Sequence, residues 1–520
     1  MTTSPHRSAY LPPADQRSQT HPDRVDAVLS RQARRTPEKT ALTFGDREFT
    51  YRELDDAVSR AAGILGELAL APGSRIAAFG KNSDAYLIAF LACSRAGLVH
   101  VPVNFALTGS ELGYLLTDSG ASAVLFDPAL APTLLATLTD LGSLPTIALR
   151  DAEGSLIERS TSGEVPQIVT PASDLVQLLY TSGTTSRPKG AMMTHGALVH
   201  EYLSSIHGLD FRADDEPLQA MPLYHSAGMH VFTMPYLMIG ATNHLLEVPE
   251  IGAVLRTIEE RSIGSLFLAP TVWVPLSQHP DFATRDLHSL AKAYYGASIM
   301  PGPVLDRLRG ALPELLFYNC FGQSEIGPLA TILRPEEHDE RPDSCGRPVL
   351  FVELRVIDSA GEQVPPGGTG EVVYRSPQLC EGYWNKPEET AEAFAGGWFH
   401  SGDLVRIDEG GFITVVDRIK DVINTGGVLV ASREVEDALY THPAVAEVAV
   451  IGTPDEKWIE AVTAFVVLKP DATVSAEELR THSRATLAPF KVPKSVHFVE
   501  ELPRNQSGKL LKRELRTRAD

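Results

Sequence analysis

The segment Tyr180–Gly190 reads YTSGTTSRPKG and packs hydroxyls, glycines and one lysine into a short stretch. Glycines let a backbone approach a ligand closely and aim successive N–H groups at anionic oxygens. Thr181, Ser182, Thr184 and Thr185 add hydroxyl donors around Gly183, and Lys189 adds a positive charge. Such a set suits a triphosphate. A polar surface loop is the commoner fate of a Ser/Thr/Gly cluster, but the ordered string ending in Pro-Lys-Gly favours phosphate. The spacing is not that of a Walker A loop, because no Gly-Lys-Ser/Thr follows the first glycine at the required distance. Other chemistries fail simple checks: there is no G-x-S-x-G elbow, no H-E-x-x-H helix and no strand-placed G-x-G-x-x-G. His225 and His230 are poorly spaced for two metal ligands on one helical face.

A phosphate loop must be presented by rigid neighbours. The apolar run Leu175–Leu179 predicts a strand leading into it. Upstream, Arg75–Phe79 reads as a strand. Asn82 or Ser83 then caps a helix carrying Tyr86, Leu87, Phe90 and Leu91, and Gly97 ends it. Val99–Val103 is again extended, and Pro102 within it suggests an edge or a bend. A helix from Ser110 to about Thr117 and the run Ala123–Phe126 complete a β-α-β-α-β pattern, which favours a parallel sheet covered by helices. Similar alternation continues past residue 330. From about Phe351, strand-like pieces alternate with turns such as Pro365-Pro366-Gly367-Gly368. The C-terminal stretch reads as a further compact α+β region, with strands at Val445–Ile451 and Ala461–Leu468.

The net charge of -20 leaves no basic footprint for nucleic acid. It does not exclude anionic ligands, provided that donors cluster locally. Cys93, Cys320, Cys345 and Cys380 form neither a zinc pair nor a disulfide framework, so reduced thiols and a cytoplasmic setting are expected. The polar start of the chain, residues 1–20, is read as a mobile arm without a signal-peptide core. No apolar run is long enough for a membrane span.

Several ordered motifs beyond the phosphate loop make the chain resemble the adenylate-forming superfamily. Its members include acyl- and aryl-CoA synthetases, non-ribosomal adenylation domains and firefly-type luciferases. The motifs are MPLYHSAG (Met221–Gly228), YYGAS (Tyr294–Ser298), YNCFGQSE (Tyr318–Glu325), WFHSGDLVRID (Trp398–Asp408), VVDRIKD (Val415–Asp421) and LPRNQSGKLLKREL (Leu502–Leu515). The similarity covers almost the whole chain after the N-terminal arm. It implies a mixed α/β and α+β fold: a large N-terminal AMP-binding domain over residues 21–417 with helix-covered, mostly parallel sheets and a small barrel-like subdomain. A hinge at 418–420 and a small mobile C-terminal α+β domain at 421–520 would follow.

The resemblance also implies roles. The phosphate-loop residues and Ser324 would hold the phosphates of ATP. His225 would lie beside the acyl carboxylate, and Gly296, Ala297, Ser298, Asn319, Phe321 and Gly322 would border adenine and the acyl group. Glu325, with Thr184, would hold Mg²⁺, a hard cation that favours oxygen ligands. Asp403 and Arg418 would bind ribose, Lys420 would be the hinge, and Lys509 would be the catalytic lysine. Gly426, Gly427 and Trp458 would line a channel for CoA. The implied reaction joins a carboxylic acid to AMP and then to CoA.

Departures from the family pattern set the remaining expectations. Ser186 and Arg187 replace a commoner Gly and a small or apolar residue in the phosphate loop, which should be tolerated. Val428 and Leu429 replace a polar pair, and Ile459 replaces a common Gly. Added bulk and lost polar groups near the thiol channel lead us to expect weak or altered thioester formation, or its transfer to a partner enzyme or carrier protein. Ser226 stands where amino-acid-activating relatives have Asp, so a non-amino acid is expected. Met229, Val231, Phe232, Met234 and Tyr236 fit an apolar acyl pocket or helix core equally well. A medium or long fatty acid is the leading substrate and a bulky cyclic acid the second. An adenylation-only ligase, a luciferase-like oxygenase and an inactive nucleotide-binding scaffold are the competing readings, and a homodimer is left open.

Overall fold

A computed structural model describes residues 24–159, 171–181, 187–298, 300–426, 428–455, 457–504 and 510–519. The chain divides into two compact units. The first holds residues up to 342 together with 348–353 and 375–394; the second holds 343–347, 354–374 and 395 onward. The N-terminal arm lies outside the described residues.

The first unit contains two sheets. One runs in the order Thr146–Ala148, Ala121–Phe126, Arg75–Phe79, Val99–Val103, Leu175–Thr181, Lys189–Thr194. Its pairings are parallel except the last, where Leu175–Thr181 and Lys189–Thr194 are antiparallel. Ser83 is the cap of the helix Asp84–Arg95, its side chain accepting from the Tyr86 N–H, and Gly97 follows with a left-handed φ of 66°. This helix is buried on every face, beneath the helices Val25–Arg35 and Tyr51–Gly66, in the largest apolar core. The expectation that Pro102 marks an edge or bend is not met: Val99–Val103 is an interior, wholly buried strand. Its ladder with Leu175–Thr181 registers only at His100–Gln177, so the proline lies where that pairing has already lapsed and its missing N–H costs little.

The second sheet of this unit runs Thr331–Leu333, Leu316–Phe321, Lys292–Gly296, Ser265–Phe267, Pro217–Gln219, Asn243–Leu245, Thr40–Phe44, Arg47–Thr50. It is parallel through its centre and antiparallel at both of these ends. The two sheets bring the ends of Leu175–Thr181 and Leu316–Phe321 to one site. Four free cysteines are spread over the chain, and burial pushes every one of their thiols upward.

The second unit carries a four-stranded sheet in the order Glu353–Ile357, Thr369–Arg375, Phe399–Ile407, Ile413–Arg418. It also carries a sheet in the order Val428–Val430, Ile423–Thr425, Ile459–Leu468, Val445–Asp455, with Ser495–Phe498 parallel to Ile459–Leu468. The helices Ser432–Tyr440 and Ala476–Ser483 cover it, the latter opened by a reciprocal cap between Ser475 and Glu478.

Ile459 begins its strand with φ at 67°, a left-handed conformation that β-branched residues strongly avoid. Its side chain is exposed, so little packing offsets the strain. Ile459→Gly should therefore stabilise the protein by about 1 kcal/mol, the strain relieved less the extra freedom glycine gains when unfolded. Chemical denaturation of the two proteins side by side checks this; a lower midpoint for the glycine variant would refute it.

Candidate functional site

The two legs of the phosphate loop are paired in register, Tyr180 opposite Gly190 and Thr181 opposite Lys189. Gly190 fits closely there, since a Cβ would come within 3.1 Å of the Tyr180 ring. The Tyr180 hydroxyl donates to Asp118 Oδ2 at 2.8 Å, and the Tyr114 hydroxyl donates to the Pro188 carbonyl at 3.0 Å. Ser182, Gly183, Thr184, Thr185 and Ser186 lie outside the described residues.

Glu325 follows the strand Leu316–Phe321 in a short 3-10 turn, Ser324–Ile326, and is buried. It is not the solvated acid that a helix start commonly carries. Its Oε1 accepts from the Thr181 hydroxyl at 3.1 Å and from the Tyr383 hydroxyl at 3.0 Å. Lys189 Nζ stands 4.9 Å from the centre of the Tyr383 ring, within cation–π range. Burial and the nearby Glu325 charge push the Tyr383 phenol far above its ordinary value, so it remains a donor at neutral pH.

Ser324 is joined to Ser226, their hydroxyl oxygens 2.8 Å apart. Ser226 is buried and follows His225, which is exposed at the entry to the π-helix Ala227–Thr233. His225 Nδ1 accepts from the Ala227 N–H at 3.3 Å. The satisfied core histidine is instead His230. Its Nδ1 meets the Tyr202 hydroxyl at 3.1 Å and its Nε2 meets Gln177 Oε1 at 2.7 Å. Gln177 Nε2 continues to His100 Nδ1 at 3.0 Å. Burial lowers the pKa of both imidazoles to about 3, so the chain is neutral. It ties the π-helix to the strand that enters the phosphate loop. Met229 and Met234 belong to the large apolar core, which is the helix-core reading of that pattern.

Gly296 pairs with Cys320, and Asn319 with Tyr295, across adjacent strands. A Cβ on Gly296 would lie 2.3 Å from the Cys320 carbonyl oxygen. Ala297 turns out of the strand with φ at 64° and, like Ser298, is exposed. Phe321 is half-buried at the end of its strand rather than in the core. Gly322 has φ at 153°, and a Cβ there would lie 2.1 Å from the Pro328 carbonyl oxygen. The turn leading to Glu325 thus depends on a residue with no side chain.

In the second unit, Asp403 is buried and Arg418 Nε reaches its Oδ1 at 2.7 Å. Their strands pair in direct register, Asp403 opposite Arg418. Lys420 is exposed in the turn Ile419–Asp421, whose Asp421 is held by Arg516 at 2.9 Å. Gly426 has φ at 65° and its N–H donates to the Trp458 carbonyl. Val428, Leu429 and Ile459 are exposed around the Thr425 register. Lys457 Nζ and Lys494 Nζ lie 4.8 and 5.2 Å from the Trp458 ring. Gly427 and Lys509 lie outside the described residues.

Thr181, Glu325 and Lys189 are thus gathered in one cluster, and Ser226 and Ser324 in another. The sequence reading missed Tyr383, which joins the first cluster; the GYWNKPE string around it, Gly382–Glu388, was the available signal.

Residues 29–384 match the family of AMP-binding enzymes, and residues 434–509 match the AMP-binding enzyme C-terminal domain. The chain belongs to this family and is of the acyl-CoA synthetase type. It is 39% identical over 490 residues to a feruloyl-CoA synthase of Amycolatopsis sp, covering 94% of this chain and 97% of that one. It is 35% identical over 507 residues to the medium/long-chain-fatty-acid–CoA ligase FadD8 of Mycobacterium tuberculosis, covering 93% and 88%. The crystal structure of ATP-bound MatB from Rhodopseudomonas palustris superposes with a TM-score of 0.86 at 30% identity, covering 95% and 99%. No helix among the described residues is long and apolar enough to cross a membrane.

Proposed function

We propose that the chain activates a hydrophobic carboxylic acid with ATP and transfers the acyl group to CoA. The acid's carboxylate attacks the α-phosphorus of ATP, forming acyl-AMP as pyrophosphate leaves. The CoA thiol then attacks the acyl carbonyl, forming the thioester as AMP leaves. No general base is required in the first step, since the nucleophile is ionised near neutral pH. Catalysis is then positioning and charge stabilisation.

The observation that carries this reading is the meeting of Thr181 and Tyr383 on the buried Glu325, with Lys189 over the Tyr383 ring. It links a buried carboxylate and an ammonium group through one phenol at the base of a hydroxyl-rich loop. Within the reading, Lys189, Ser324 and the loop residues Thr181 to Thr185 bind phosphate. His225 faces the acid carboxylate, and Phe321 with Gly296, Ala297, Ser298, Asn319 and Gly322 borders adenine and the acyl group. Asp403 and Arg418 serve the ribose, Lys420 is the hinge between domains 21–417 and 421–520, and Lys509 is the catalytic cation. Gly426, Gly427 and Trp458 serve CoA.

A divalent cation fits Glu325. Two hydroxyls take Oε1, and no described residue donates to Oε2. When bound, Mg²⁺ would neutralise charge on the phosphates; Glu325 would hold it, with Thr184. A cytoplasmic setting is part of the proposal.

The CoA ligases among the relatives support thioester formation by this chain, and they do not favour the adenylation-only alternative drawn from Val428, Leu429 and Ile459. The same names put hydroxycinnamate-like acids beside fatty acids as candidates. Purified protein with ATP, Mg²⁺ and CoA should be offered cinnamic-type, indolyl, medium-chain and long-chain acids, with AMP and CoA esters read by mass spectrometry. A CoA ester from at least one acid is expected. AMP esters alone would restore the adenylation-only reading, and ATP binding without turnover of any acid would leave a scaffold.

A further inference from the structure

The strand Lys189–Thr194 is the last in its sheet, yet its outer edge is covered. Gly382–Trp384 runs along it: the Met192 N–H donates to the Gly382 carbonyl at 2.9 Å, and the Trp384 N–H to the Gly190 carbonyl at 2.8 Å. Between them Ala191 bridges Tyr383 in antiparallel fashion. The same segment reaches the Glu325 turn, where the Cys380 N–H donates to the Glu325 carbonyl at 2.8 Å. It also reaches the other leg of the phosphate loop, because Lys386 Nζ shares Asp118 with the Tyr180 hydroxyl, at 3.2 and 2.8 Å. Gly382 allows the close fit: its φ is 129°, and a Cβ would meet Thr390 Cγ2 at 2.4 Å. Thr390 Oγ1 in turn accepts from the Tyr383 N–H at 2.9 Å. The Tyr383 backbone is thus fixed from both sides before its side chain makes any contact.

We propose that Tyr383 is a positioning residue for nucleotide activation, acting on two groups at once. Its hydroxyl fixes one carboxylate oxygen of Glu325, and its ring face fixes the ammonium of Lys189. The inference rests on the nucleotide-activating reading above and adds to it a residue with no assigned role. The argument is one of partition. A carboxylate with both oxygens free can turn, and a cation bound to it shares that freedom. Here the Tyr383 and Thr181 hydroxyls both donate to Oε1. The orientation of the group is set from behind, and Oε2 is turned away from these donors. The ring under Lys189 holds a long, rotamer-rich side chain near the loop exit. Paired charges would neutralise each other if Lys189 bridged directly to Glu325. The intervening phenol keeps the ammonium and the carboxylate separate, each available to a different part of a metal–triphosphate.

Two variants separate the two contacts. Tyr383→Phe keeps the ring beneath Lys189 and removes the donor to Glu325. Tyr383→Leu removes both. Binding of a non-hydrolysable ATP analogue is measured by calorimetry with and without Mg²⁺, with thermal midpoints as a folding control. Tyr383→Phe should weaken binding about tenfold with Mg²⁺ and leave metal-free binding unchanged, as expected for loss of a hydrogen bond to a charged group. Tyr383→Leu should add a loss of about threefold that persists without the metal. In exchange assays Tyr383→Phe should lower kcat while the KM for the acid stays constant. Thr181→Val combined with Tyr383→Phe should lose more than the sum of the single changes, since Oε1 is then unpartnered. A Tyr383→Phe protein with the wild-type Mg²⁺ dependence overturns the proposal alone. A wild-type protein that binds no analogue overturns the nucleotide-activating reading and this one with it.

Discussion

Lys509→Ala should lose acid-dependent pyrophosphate exchange by about a hundred- to a thousandfold while its thermal midpoint stays that of the wild type. The transition state of acyl-AMP formation gathers negative charge on phosphoryl oxygens. Lys189 stands on the triphosphate side in the proposed arrangement, and the acid carboxylate brings a further negative charge to the α-phosphorus. A second ammonium is required where those charges meet, and Lys509 of the LPRNQSGKLLKREL string is the residue proposed to supply it. Mutation of a group used only in the transition state lowers kcat and kcat/KM together and leaves ground-state binding largely alone. The measurement is exchange of labelled pyrophosphate into ATP with an acid from the productive class. Exchange within a few-fold of wild type would remove Lys509 from the mechanism. The thioester half-reaction offers a control: preformed acyl-AMP plus CoA should be converted by Lys509→Ala at near the normal rate, because the lysine has no task there.

Glu325→Gln should have an effect of similar order, about a hundredfold on exchange, for a different reason. The substitution nearly preserves shape. The new carbonyl can accept from Thr181 and Tyr383 as Oε1 does now. The amide nitrogen then occupies the place of Oε2 and presents a donor, not an anionic acceptor, to whatever binds there. Stability should hardly change. The loss should be in Mg²⁺-dependent analogue binding as well as turnover, and raising the Mg²⁺ concentration should recover part of it. A variant that exchanges normally at low Mg²⁺ would end the assignment of Glu325 to the metal.

Much of the architecture follows from local patterns. The β-α-β-α-β alternation from Arg75 to Phe126 folds as read, with Ser83 and Gly97 bounding the helix between the first two strands. Leu175–Leu179 extends by two residues to Thr181 because its partner strand begins at Lys189, directly opposite. Pro102 was misread because a single strand does not reveal which of its two ladders lapses. Met229 and Met234 could be pocket or core on pattern alone, and only their place in the large buried apolar cluster decides. The site itself was legible as separate strings and not as an assembly. Thr181 and Glu325 meet across 144 positions, and Tyr383 and Glu325 across 58. No periodicity encodes such a meeting. Tyr383 and Gln177 were invisible for that reason: each acts through a partner supplied by another sheet or helix.

The four thiols have a practical corollary for anyone assaying the second half-reaction. A cysteine reacts as its thiolate, and burial that raises the pKa leaves almost none of that form near neutral pH. A chromogenic disulfide reagent added to native protein should therefore report consumption of CoA sulfhydryl with little background from the catalyst. The protein should likewise tolerate mild peroxide and unreduced storage buffers.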